Sequence, residues 1–282
     1  MWVPIKPPFG GFESPYESAE VAVMGVPLDL TSSHRTGSRF GPQRIREASF
    51  NLETYIPSAG VDVFEKLRIS DLGDLCLPPN LEESGRMIEG EVRRVSGEGK
   101  LPLLLGGEHT LTYFACRGLK PDCMLYLDAH ADLREEWLGQ RLCHATVARR
   151  LLDFLPAPRL IEVGVRSCSK EEEEFRRECG LRWHVSEELE RPEELARKVL
   201  KETSGRVYLS VDMDLLDPAF ASGVSCPEPG GISTSNLLSF LRELKGIELC
   251  GVDVVEVCPP FDNGGASFAA ARVIYEILAH LL

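Results

Sequence analysis

The chain lacks any apolar run approaching the ~20 residues that a bilayer-spanning helix requires. Its opening stretch, MWVPIKPPFGGFESPYES, has too little apolar character ahead of its prolines and glycines for a secretion signal. With neither feature, the expected location is the cytoplasm, with no membrane partner. CxxC pairs are absent among the nine cysteines, and an odd number cannot close a complete set of intrachain bridges. Cys116, Cys123 and Cys250 sit in apolar surroundings and read as small core residues rather than zinc or redox ligands. Basic charge is scarce: 31 Lys and Arg stand against 44 Asp and Glu, a formal net charge of -13. That balance argues against a nucleic-acid binder, whose partner's phosphates need a basic surface. It suits a small cationic substrate drawn in by the protein's field, and equally a chain merely kept in solution by its charge. Low-complexity segments and internal repeats are missing too. The 282 residues therefore read as a single domain, 1–282.

What the chain does have is a regular alternation. Eight short apolar runs, at 21–27, 67–73, 101–107, 123–130, 160–166, 181–185, 207–214 and 247–257, read as strands. Several are apolar through most of their length, as strands covered on both faces must be. Segments of helical spacing lie between them. Pro42 opens GPQRIREASFNLETY, where proline suits the first turn of a helix. Ile88, Val92 and Val95 give the stretch near 81–98 one apolar stripe. The runs KEEEEFRRE (170–178) and SEELERPEELARK (186–198) read as solvated helix faces. Strands alternating with helices predict an α/β fold, a mostly parallel sheet between helical layers. Ligands of such a sheet gather at the carboxyl ends of its strands.

Unusual polar residues fall there. GGEHT (106–110), DAHADLR (128–134) and SVDMD (210–214) each end a strand. Together they supply His109, Asp128, His130, Asp132, Asp212 and Asp214. With the backbone still extended, the alternate residues of DAHAD and DMD project to one side, and Ala129, Ala131 and Met213 point away. A lone DxD or a lone histidine at a strand end is usually a cap or a salt-bridge residue. Four carboxylates meeting in one buried place, however, would repel one another and titrate upward unless cations neutralised them. Two divalent ions balance four aspartates, and each histidine can add a nitrogen ligand. Oxygen and imidazole donors without thiolate suit Mn²⁺ better than a structural zinc site.

At this point the chain resembles the ureohydrolase family of arginases and agmatinases, through most of its length. GVPLDLTSSHRTGSRFGPQRIREAS (25–49), GGEHT, DAHADLR, SVDMDLLDPAF, PEPGG (227–231) and VDVVEVCPPFDNGG (252–265) carry the resemblance, in family order. It implies a three-layer α/β/α sandwich with a mainly parallel eight-stranded sheet. His109, Asp128, Asp132 and Asp212 or Asp214 then match ligands of a dinuclear manganese site completed by His130, two Mn²⁺ per subunit, with two or three aspartates bridging. Glu256 matches the guanidinium-binding glutamate, and His144, in CHATVARR, the histidine that shuttles protons beside the site's mouth. Segment 25–49 would shape the entrance and the contacts of a homo-oligomer, a trimer or hexamer. A metal pair lowers the pKa of a water. Glu256 could hold the planar cation, and Asp128 or its bridging counterpart could relay a proton to the departing amine. Asp253 reads as a partner behind the ligands and Arg166 as a support at the sheet's end. His34, His184 and His280 read as surface or packing histidines.

The substrate is less legible. LREEWLGQRLCHAT (133–146) lacks the Asn, Ser and Thr series with which arginases hold an α-amino acid, and is similar to agmatinases. Agmatine, cleaved to putrescine and urea, is the expectation, with Glu135 and Glu136 as candidate attractors of its ammonium. Arg134 would instead suit a carboxylate-bearing substrate such as guanidinobutyrate or arginine. The family pattern is broken at Val224, Ser225 and Cys226, where many members have Thr-Gly-Thr, and at Cys258, which replaces Asn. Rival readings are a formiminoglutamate hydrolase, an inactive metal-stabilised subunit and a single-zinc deacetylase. The second predicts missing ligands, and the third leaves several of the six unexplained.

Overall fold

Alternation along the strands decides the architecture. In a computed structural model, which describes residues 1–282, Val21 and Val23 enter one apolar core while Ala22, Met24 and Val26 enter another. The same division recurs at Leu103 and Leu105 against Leu104, and at Leu125 and Leu127 against Met124 and Tyr126. Successive side chains of a strand point to opposite faces. A sheet apolar on both faces must be covered on both, and the result is three layers.

The strands are β1 (Trp2–Val3), β2 (Val21–Val26), β3 (Tyr55–Ile56), β4 (Val61–Asp62), β5 (Ile69–Leu75) and β6 (Leu101–Gly106). They continue as β7 (Cys123–Leu127), β8 (Leu160–Val165), β9 (Arg182–Val185), β10 (Arg206–Asp212) and β11 (Glu248–Val255). The helices are α1 (Gly41–Phe50), α2 (Val63–Lys66), α3 (Leu81–Gly97), α4 (Thr110–Leu119), α5 (Val147–Leu151), α6 (Lys170–Cys179), α7 (Pro192–Glu202), α8 (Thr234–Glu243) and α9 (Gly265–Leu281). Helices α1, α7, α8 and α9 pack on one face of the sheet; α3, α4 and α5 cover the other. No helix is long and apolar enough to cross a membrane.

The main sheet has nine strands in the order β1-β5-β2-β6-β11-β10-β7-β8-β9. All eight expected strands are present and run parallel to one another. The ninth, β1, adds to the edge antiparallel to β5, with Trp2 opposite Leu75. Two residues are too few for a period to register in sequence. The small β3–β4 hairpin lies apart.

The expected helices form with their expected signals. Pro42 sits in the first turn of α1, and Ile88, Val92 and Val95 are the buried stripe of α3. Helix α6 corrects one expectation, because its acidic run is not wholly solvated. Glu172 is 3% exposed. Its Oε2 accepts the Ser169 N–H at 2.7 Å, closing a capping box, and its Oε1 accepts the Leu133 N–H at 3.0 Å. Backbone donors and Arg134, 3.7 Å away, satisfy the buried carboxyl group, which pins the loop that follows β7.

Candidate metal centre and active site

Four adjacent strands of the sheet, β6, β11, β10 and β7, deliver the site from their carboxyl ends. His109 follows β6, Glu256 follows β11, Asp212 ends β10 with Asp214 in the turn after it, and Asp128, His130 and Asp132 follow β7. Parallel register puts all four ends on one edge, so residues distant in sequence converge.

The six predicted residues form two clusters that share one carboxylate. His109 Nδ1 lies 2.9 Å from Asp128 Oδ2, 3.1 Å from Asp212 Oδ2 and 3.9 Å from Asp132 Oδ2. His130 Nδ1 lies 2.9 Å from Asp214 Oδ2 and 3.5 Å from Asp128 Oδ1. Five of the six are buried, and His130 is partly exposed. The extended alternation expected of DAHAD holds only in part. Asp132 adopts a left-handed φ of 49° and Met213–Leu215 is a helical turn, so backbone bends as well as pleat aim these carboxylates inward. Ala129, Ala131 and Met213 are buried in the flanking packing, as expected.

The electrostatics match crowded acids. Burial and the neighbouring carboxylates Asp128 and Asp214 push Asp132 and Asp212 well above the usual carboxylate range. Asp214 is also raised, by burial. Asp128 goes the other way: burial opposes its charge, but the two histidines outweigh it. Burial likewise opposes charge on His109 and His130, yet their aspartates draw both far up.

The donor set fits divalent cations on an independent ground. Ser210 Oγ, 2.9 Å from His109 Nε2, gives its single proton to Asp253 Oδ1 at 2.5 Å. Asp253 Oδ2 is held in turn by Thr112 and Tyr208, each at 2.7 Å. Toward the ring Ser210 can only accept, so Nε2 carries hydrogen and a neutral His109 turns a bare Nδ1 at three carboxylates. Facing anions at such distances, Nδ1 holds either a proton, which the raised pKa favours, or a cation shared with the carboxylates. Asp253 thus has the supporting place that the sequence suggested. His109, Asp128 and Asp132 form one group of converging donors, and Asp128, His130 and Asp214 a second.

Beside these groups lies a cavity of about 160 Å³ whose lining includes Ser33, Arg134, Trp137, His144, Cys226 and Glu256. Glu256 has a left-handed φ of 66°; its Oε1 accepts the His109 N–H at 2.6 Å, and its buried Oε2 makes no well-formed hydrogen bond, with only the equally unpartnered Ser225 hydroxyl nearby. Burial pushes its carboxyl up to about 7. A buried acceptor without a donor is costly, and a positively charged ligand in the cavity would satisfy it. His144 stands at the mouth, its pKa pushed down to about 4 by burial, and is neutral at physiological pH.

Residues 19–280 match the sequence model of the arginase family. The chain belongs to the arginase family. It is 37% identical to a guanidinobutyrase of Pseudomonas aeruginosa over 98% of this chain and 94% of that one. It is 39% identical to an agmatinase of Bacillus anthracis, covering 93% and 92%. Its fold superposes on the crystal structure of an agmatine ureohydrolase of Thermoplasma volcanium with a TM-score of 0.88 and 36% identity, covering 95% and 91%. The chain is therefore an arginase-type ureohydrolase.

Against the family pattern, the Val224-Ser225-Cys226 departure lies in the site itself. Val224 bridges Val257, the Ser225 N–H donates to the Glu256 carbonyl at 3.3 Å, and Cys226 lines the cavity. Cys258 points instead at the Thr36 carbonyl, 3.4 Å from its Sγ. The expected role of Glu135 at the mouth does not hold. It is taken by Arg141 at 2.8 Å, Arg149 at 2.9 Å and Arg150 at 3.0 Å, and Glu136 is outside the cavity lining. The cationic side chain that reaches the mouth is Arg134, stacked 4.6 Å over Trp137 and 3.7 Å from Glu172. Arg166 supports the sheet end as expected, donating to the carbonyls of Asp214 and Glu228, each at 2.7 Å. His34 is exposed, while His184 and His280 pair with Glu202 and Glu276, each at 3.2 Å. Sequence reasoning missed Tyr126, which stacks on His109 at 4.4 Å and donates to Asp132 Oδ2 at 2.7 Å. Its signal was faint: one hydroxyl inside the apolar run of β7.

Proposed function

We propose that this protein hydrolyses the guanidinium of a short linear guanidino compound, releasing urea and the corresponding amine. The observation that carries the reading is the unpartnered Oε2 of Glu256, a buried acceptor beside two donor groups that share Asp128. In this reading His109, Asp128, Asp132, Asp212, Asp214 and His130 hold two Mn²⁺. When bound, the ions offset the aspartate charge and supply an activated water at neutral pH. Glu256 binds the guanidinium through charge-assisted hydrogen bonds and fixes the orientation of its carbon. We assign to Asp128 the delivery of the proton that the departing amine needs, and to His144 its exchange with solvent.

For the substrate's tail, agmatine comes first, on the likeness to agmatinases, with putrescine as the second product. A carboxylate tail, as in 4-guanidinobutyrate, is the second reading, favoured by Arg134 at the mouth. A homo-oligomer, trimer or hexamer, and a cytoplasmic setting belong to the same reading; light scattering of the purified protein tests the first. The decisive experiment measures urea release from agmatine, 4-guanidinobutyrate and arginine, and formamide release from formiminoglutamate, before and after chelation and Mn²⁺ reloading. Urea from at least one guanidino compound, lost on chelation and restored by Mn²⁺, is expected. No urea from any of them, or full activity without metal, would overturn the proposal.

A further inference from the structure

One acid of the GGEHT segment has no part in the scheme above. Glu108, fully buried next to His109, gives its oxygens to segment 29–36. Its Oε2 accepts the Thr31 N–H at 2.7 Å and the Ser32 hydroxyl at 3.3 Å. Its Oε1 accepts the Thr31 hydroxyl at 3.0 Å, and the Thr110 hydroxyl, 3.1 Å from Thr31 Oγ1, lies within reach of the same carboxylate. Thr31 Oγ1 in turn accepts the His144 backbone N–H at 3.0 Å and lies 3.4 Å from His144 Nδ1. On the far side of the ring, Nε2 is 3.1 Å from Ser33 Oγ.

A threonine hydroxyl has one proton and two lone pairs. Thr31 gives its proton to a buried carboxylate, the strongest acceptor within reach. Toward the imidazole it can then only accept, so Nδ1 must be the donor. In a neutral ring that leaves Nε2 with its lone pair, facing Ser33 at the cavity mouth. With the Thr110 proton directed at Glu108, the lone pairs of Thr31 face the His144 backbone N–H and its ring.

We propose that Glu108 is a positioning residue: through Thr31 it fixes His144 as the Nδ1–H tautomer and presents Nε2 as the proton acceptor at the mouth. The inference rests on the reading of His144 as the proton carrier, but its first test does not depend on turnover. Full-length protein with ¹⁵N-ring-labelled histidine, loaded with diamagnetic Zn²⁺, is examined by long-range ¹H–¹⁵N correlation, with His144→Gln assigning the signal. Nδ1 in the protonated range and Nε2 in the unprotonated range are expected, and Thr31→Ser retains both. In Thr31→Val and Glu108→Gln the two nitrogens move toward each other as the tautomers mix. Kinetically, Thr31→Val lowers kcat on the order of tenfold with KM little changed, and Thr31→Ser rescues it. An Nε2–H tautomer in the wild type, or an unchanged ring in correctly folded Thr31→Val, overturns the inference. Absence of urea from every guanidino compound would instead overturn the functional reading while leaving the tautomer result standing.

Discussion

Replacing Glu256 by Gln tests the guanidinium subsite with little else disturbed. Oε1 accepts the His109 N–H at 2.6 Å, a bond that a glutamine carbonyl oxygen can keep. The substitution then puts an NH₂ where Oε2 stood, so a donor meets the donors of the substrate's cation and the compensating charge is gone. Removing one partner of a buried, hydrogen-bonded charge pair costs about 3–5 kcal/mol. At about 1.4 kcal/mol per decade this is a loss of roughly 150-fold to 5,000-fold in kcat/KM. The assay is urea release at fixed substrate, with metal content measured by elemental analysis and the fold by thermal unfolding. Metal content and melting temperature should match the wild type, because neither the candidate ligands nor the His109 contact is altered. If kcat/KM stayed within about threefold of the wild type at equal metal content, Glu256 would have no part in binding the cation.

Metal removal is expected to lower the melting temperature, since it leaves four buried aspartates compensated only by two histidines; an identical melting curve with and without Mn²⁺ would refute the clustered-acid argument. Arg134→Gln should lower the ratio of kcat/KM for 4-guanidinobutyrate over agmatine by about tenfold, on the order of one charge-assisted contact. A ratio that does not move would remove Arg134 from substrate selection. Glu276 is fully buried and paired with Arg242 at 2.9 Å, Arg272 at 3.3 Å and His280 at 3.2 Å. Burial opposes its charge, but Arg242 outweighs burial and holds its pKa below the usual value. Its stabilisation is therefore full above the unfolded pKa of about 4.3 and is lost as pH falls through the lower folded value. Chemical denaturation of Glu276→Gln across the acid range should show a flatter decline than the wild type, and parallel curves would count against the pairing.

Much of this was legible in the chain because two physical signals are local. A strand covered on both faces announces itself as an unbroken apolar run, so all eight long strands could be read, whereas β1 offers two residues and no period. Acids and histidines at the ends of such runs are conspicuous because nothing in a strand end's packing calls for them. The unread features depend on partners far away in sequence. Glu135 looked free beside Arg134, yet three arginines claim it, one of them 15 residues on. Glu172 sat in an acidic run that looked uniformly solvated until the Leu133 N–H, 39 residues back, gave it a donor.

Glu108, Thr31 and Ser210 went unread for a different reason: their role lies in the direction of a proton. Ser210 donates to Asp253 and so keeps hydrogen on Nε2 of His109, turning Nδ1 to the carboxylates; Thr31 donates to Glu108 and so bares Nε2 of His144 toward the mouth. In both, a buried acid fixes a hydroxyl and the hydroxyl fixes a ring. The fold thus controls which nitrogen of each histidine is free by placing an acid one hydroxyl away, on the side opposite the chemistry. A motif can name the histidine, but the tautomer is decided only where a hydroxyl meets the ring from a segment 101 or 113 residues away in sequence.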